Sequence, residues 1–166
     1  MNDYFTASEP QTPRDRLPRA ICDSVLTRLC AANSDVGFAL ISTRDALVVS
    51  HRAHAQIDPS RLAAMTSSII AICESLSQEF DGGHCQSVCL SMSGYTCVIA
   101  HIPANQHSLA LAIGVRGEVL LARARRLTLD VAERVATSLN ALAATEDAAA
   151  PASIIHNANT INRGTL

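Results

Sequence analysis

A chain of 166 residues that is 48% hydrophobic and 17% charged, with a formal net charge of −2, has the material for one folded domain with tails, built on an apolar core without disulfides or metal. Its thirteen basic residues, all arginine, do not outnumber its fifteen acidic ones, and aromatic residues are only 3% with no Trp. Phosphate-backbone binding lacks its charge and base stacking lacks its platforms, so nucleic acid is excluded as the main partner. No stretch approaches the roughly 18 apolar residues of a membrane span. The opening MNDYFTASEPQTPRDR lacks the apolar run of a secretory leader. Cys22, Cys30, Cys73, Cys85, Cys89 and Cys97 all fall inside apolar periodic segments. That is the pattern of reduced, core-facing thiols and leads us to expect a cytoplasmic protein.

Residues 1–13 carry two prolines among polar residues and read as a flexible arm. Arg14 to Ala32 has apolar residues four apart (Leu17, Ile21, Val25, Leu29), widened by Cys22 and Leu26, which predicts a helix; Pro18 sits in its first turn, where proline is tolerated. Two apolar runs follow, Val36–Ser42 and Ala46–His51, split by Thr43-Arg44-Asp45, which predicts a hairpin.

The segment from Asp58 to Phe80 predicts a helix with Asp58 as its N-cap and Pro59 at its first position. Leu62, Met65, Ile69, Ile72, Leu76 and Phe80 gather on one side as the expected core stripe. Ser60, Ala64, Ser67, Ser68, Ala71 and Ser75 gather about a third of a turn away. This second face has almost no large side chain. It is either a solvated face of small residues or a surface that lets another protein backbone approach closely.

Asp81-Gly82-Gly83 predicts the end of that helix. Three strands are expected next: Cys85–Met92, Tyr95–Ile102 and His107–Val115, separated by Ser93-Gly94 and by Pro103 to Gln106. A last helix spans about Val119 to Leu142, with Leu120, Leu127, Val131, Val135 and Leu142 as its buried seam. Ala143 to Leu166 reads as a disordered tail in which Ile154-Ile155 is the one anchor candidate. The domain is therefore expected over 14–142, in the order α-β-β-α-β-β-β-α. Short connections make this an α+β fold with a five-stranded antiparallel sheet and helices on both faces.

Catalytic motifs are missing. There is no GxxxxGK[ST], and no GxGxxG or GxSxG follows a strand. His84, Cys85, Cys89, Cys97 and His101 on adjacent strands are the strongest metal or redox candidates, with Cys85 and Cys89 sharing one face and Cys97 and His101 another. They lack the closely spaced CxxC pairs of structural zinc sites, and the reading is cysteine in a strand core; no metal and no cofactor is expected. His51 and His54 read as solvated. The run Arg123, Arg125, Arg126 reads as a solvated face with Arg126–Asp130 and Asp130–Arg134 pairs at i,i+4.

The element order, together with the stretch from Ile57 to Ile102, resembles the roadblock family of dynein light chains and bacterial regulators of Ras-like GTPases. The segments that carry the resemblance are GFALIS with its hairpin, the small-residue helix opening RLAAM, the strand-SGY-strand hairpin, LALAIGV and the closing helix. The chain departs from bacterial members at its first turn, where Thr43-Arg44-Asp45 stands in place of a frequent glycine, and in its long C-terminal tail. The resemblance implies a homodimer in which the third strand pairs with its twofold mate and the second helix packs on its counterpart. It implies binding to a small Ras-like GTPase, and a protein that is not an enzyme. Ala64, Ser67, Ser68, Ala71, Ser75, Gln86, Val88 and Leu90 are the interface residues this suggests. An adaptor that uses the same dimer to bridge other proteins, with the 143–166 tail as ligand, is the alternative.

Overall fold

The computed structural model describes residues 13–54, 56–80, 83–105, 107–117 and 119–149. Its elements are α1 (Pro13–Ala32), β1 (Val36–Thr43), β2 (Val48–Ala53), α2 (Pro59–Glu79), β3 (Ser87–Ser91), β4 (Tyr95–Pro103), β5 (Ser108–Arg116) and α3 (Leu121–Ala149). All strand pairs are antiparallel, in the order β2-β1-β5-β4-β3. The expected α+β architecture and element order are what is found.

Helices cover both faces of the sheet. Cys22, Leu26 and Leu29 of α1 and Val131, Val135 and Leu139 of α3 pack with Ala39, Ile41, Val98, Leu111 and Ile113 on one side. Ala63 and Ile70 of α2 pack with Phe38, Leu40, Cys97, Ile99, Ala110 and Ala112 on the other. Central strands between two helical layers have no solvent face, which is why β1 and β5 read as nearly unbroken apolar runs.

Local chemistry sets the boundaries. Asp58 caps α2, accepting from the backbone N–H of Ser60 at 3.0 Å and of Arg61 at 3.3 Å, with Pro59 opening the helix. In the β1–β2 turn the backbone N–H of Leu47 donates to Thr43 Oγ1 at 3.0 Å, and Ala46 takes the left-handed conformation at φ 66°. In β5, Gly114 stands opposite Phe38 and leaves room for the phenyl ring, which a Cβ at that position would strike.

Two boundaries differ from expectation. The helix α3 runs to Ala149, seven residues past Leu142, because LAATEDAA is dominated by the strongest helix former. Ile154-Ile155 and the rest of the expected tail lie outside the described residues, as do 1–12. Leu120, expected in the buried seam, precedes the helix and is 80% exposed.

Candidate functional site

Helix α2 does not bury the stripe its periodicity suggests. Ala63, Thr66 and Ile70 are its buried residues, and Leu62 and Ile69 are half-buried. Met65, Ile72, Leu76 and Phe80 are 53%, 66%, 53% and 75% exposed. At 100° per residue the helix is turned by roughly 110° from the expected orientation. The reason is steric: the residues set against the sheet are mostly small, and the bulkiest side chains of the helix are left outside. This corrects the expected core stripe and uncovers an apolar flank.

The small residues line the other exposed flank. Ala64, Ser68, Ala71 and Ser75 are exposed and Ser67 is half-buried. The hydroxyls of Ser68 and Ser75 donate back to the carbonyl oxygens of Ala64 at 2.9 Å and Ala71 at 3.0 Å. Their hydrogen bonds are satisfied within the helix, so this flank presents mostly carbon and short side chains. Ser67 instead donates to the carbonyl of Thr43 in the β1–β2 turn at 3.4 Å.

Contacts on either side orient the two flanks. On one side Ser67 meets Thr43, and Glu74 pairs with Arg44 of the same turn. On the other, Cys73 meets Cys85 ahead of β3, while Leu62 and Ile69 pack against the core beneath α2 that both Val48 of β2 and Val88 and Leu90 of β3 also flank. The Cys85 thiol, in the segment leading into β3, lies against Cys73; burial foremost, and then this neighbour, raise its pKa. The apolar flank therefore faces the β3 side of the sheet, and the small flank faces the β1–β2 turn. Glu74 also reaches β4, with Oε1 3.1 Å from His101 Nε2.

Among the described residues strand β3 is an edge, bonded only to β4. Its sequence SVCLS carries no charge, and Val88 and Leu90 are half-buried on the α2 side. Gln86 and Met92, just outside it, are exposed. An uncharged, half-apolar edge beside an apolar helix flank lacks the devices that usually keep edges apart.

The cysteine–histidine candidates are divided by the sheet. Register places Leu90 opposite Cys97, so Cys97 belongs to the core beneath α2, whereas Cys89 packs against the core beneath α1 and α3. His101 is occupied by Glu74. Among the described residues no three His, Cys, Asp or Glu side chains are placed to hold a metal ion. Burial pushes the Cys22 and Cys97 thiols up to about 11. Cys30, Cys73, Cys85 and Cys89 are only half-buried, short of the core positions expected for all six. The Arg126–Asp130 pair forms at 2.9 Å; an Asp130–Arg134 pair is not among those of the described residues. His51 and His54 are exposed.

A five-stranded antiparallel sheet with α2 on one face and α1 and α3 on the other is the fold of Roadblock/LC7 domains. Solved structures match it over most of their own length. A Roadblock/LC7 domain from Streptomyces avermitilis aligns at TM-score 0.62 and 19% identity, covering 70% of this chain and 96% of that one. The gliding protein MglB of Thermus thermophilus aligns at TM-score 0.63 and 13% identity, covering 75% and 93%. MglB of Myxococcus xanthus aligns at 0.63 and 13%, covering 80% and 95%. No protein-family model and no curated protein matches the sequence. No described helix is long and apolar enough to cross a membrane.

Proposed function

We propose that this chain is a non-catalytic, cytoplasmic homodimer that binds a small Ras-like GTPase and modulates its activity or location. The observation that carries the reading is the uncovered apolar flank of α2, Met65, Ile72 and Leu76, set beside the unpaired, uncharged edge β3. A second copy covers both at once: two β3 strands pair antiparallel across a twofold axis, and the two α2 flanks meet above the joined sheet. Val88 and Leu90 then lose their remaining solvent exposure, and Gln86 lies at the end of the shared ladder.

On this proposal the two roles fall to the two flanks. The large residues form the seam between copies. Ala64, Ser68, Ala71 and Ser75 stay outward, with Ser67 at their inner margin, and their short side chains admit a GTPase at close range. The dimer's own side chains supply no reacting group; regulation on this reading comes from preferring one nucleotide state of the partner.

The test is light scattering on the protein alone and then mixed with small Ras-like GTPases loaded with GDP or a non-hydrolysable GTP analogue. The reading predicts a dimer that retains a GTPase in one nucleotide state. It also predicts that Ala71→Arg or Ser75→Arg abolishes this complex and leaves the dimer intact. A dimer indifferent to every GTPase overturns the GTPase half of the proposal.

A further inference from the structure

The arginine cluster that opens α3 runs against the helix it belongs to. Arg123, Arg125 and Arg126 fall in the first two turns, where the macrodipole is positive, and the first turn has no acidic residue to offset them. Each arginine goes to a separate partner. Arg123 pairs with Asp35 at 2.8 Å and Arg126 with Asp130 at 2.9 Å. Among the described residues Arg125 meets no carboxylate. It reaches across to the edge strand, where Nε donates to Ser87 Oγ at 3.0 Å and a terminal nitrogen donates to Gln86 Oε1 at 3.3 Å.

We propose that Arg125 is the positioning residue of edge strand β3, its guanidinium fixing the start of the strand so that the free edge can pair with a second copy. This rests on the dimer reading above. Ser87 makes the first ladder pair of β3, with Ala100, and the strand is only five residues long. Such a strand, held from one side, frays at its start, and a slip of one residue exchanges Val88 and Leu90 with the opposite face. The planar guanidinium holds two successive side chains in one preset fork, a geometry that the flexible point charge of an ammonium does not fix. No other hydrogen bond to the side chains of Gln86 and Ser87 is present among the described residues. Antiparallel pairing of identical strands sets the start of one against the end of its mate, so the two Arg125 side chains stand at opposite ends of the shared ladder and do not repel.

Dimer dissociation constants from sedimentation equilibrium, paired with hydrogen exchange at residues 87–91 and melting temperatures, test this on the full chain. Arg125→Ala weakens the dimer roughly tenfold, as expected for two exposed hydrogen bonds, speeds exchange in β3, and leaves the melting temperature of the monomer nearly unchanged. Arg125→Lys falls between. Removing the acceptors with Gln86→Ala and Ser87→Ala weakens the dimer as much as Arg125→Ala, and combining all three adds nothing. A wild-type dissociation constant in Arg125→Ala, or effects that simply add, overturns the positioning role while the dimer stands. A wild-type chain that stays monomeric at every concentration removes the dimer reading, and this role with it.

Discussion

Glu74 Oε1 lies 3.1 Å from His101 Nε2, so the C-terminal half of α2 is tied to β4 by one carboxylate. The other oxygen of that carboxylate meets Arg44 in the β1–β2 turn. One helix residue thus joins a strand and a turn that are far apart in sequence. Because the group is about one-quarter exposed, solvent screening reduces what the tie contributes. Glu74→Gln is expected to lower unfolding free energy by about 1 kcal/mol, read by chemical denaturation. An unchanged midpoint would show that the tie adds nothing.

Gly114 faces Phe38 across the β1–β5 ladder and leaves no room for a methyl group. Gly114→Ala forces the phenyl ring or the strand to move, at an expected cost of about 1–3 kcal/mol. Pairing it with Phe38→Leu, which clears the ring, is expected to recover part of that loss. Additive losses in the double variant would show that the ring is not the obstacle.

Ala46 holds φ at 66° in the β1–β2 turn, a conformation that costs an L-residue with a Cβ about 1 kcal/mol. Ala46→Gly relieves it and is expected to raise stability by a few tenths of a kcal/mol to about 1 kcal/mol, net of the extra freedom of the unfolded chain. A lower melting temperature for this variant would contradict the account of the turn.

Burial raises the Cys22 and Cys97 thiols to about 11 in the fold, from 9.0. Their folded-state pKa values exceed the unfolded ones, so the stability they contribute is complete below pH 9 and is lost as pH rises toward 11. Denaturation midpoints should fall across that window, and less steeply in Cys97→Ala than in the parent at matched starting stability. At pH 8 a thiol reagent should label these two cysteines last. Prompt labelling of both in the native protein would contradict their burial.

Most of the architecture is legible in the sequence, because Asp58-Pro59, the short turns and the nearly unbroken apolar runs of β1 and β5 each have a local physical cause. The orientation of α2 is not. Periodicity shows that Met65, Ile72 and Leu76 share a face, yet it does not show whether that face meets the sheet or another molecule. Periodicity alone therefore puts the apolar flank, the more informative half of the candidate site, in the core. The signal that could have placed it was the other set, Ala63 and Thr66, small enough for close packing on a sheet, in line with Ile70. The cysteines teach a related lesson. Alternation along each strand gives relative faces, but only the register of Leu90 opposite Cys97 shows that Cys89 and Cys97 point to opposite sides.

We propose the α2 flank and the β3 edge as a seam between two copies of this chain. Light scattering across a dilution series, on the wild type and on Ile72→Asp, tests it most directly. The account predicts twice the chain mass of 17.6 kDa for the wild type, and a folded monomer for Ile72→Asp with unchanged far-ultraviolet circular dichroism. A wild type that is monomeric throughout, or an Ile72→Asp variant that dimerises as tightly as the parent, would contradict it.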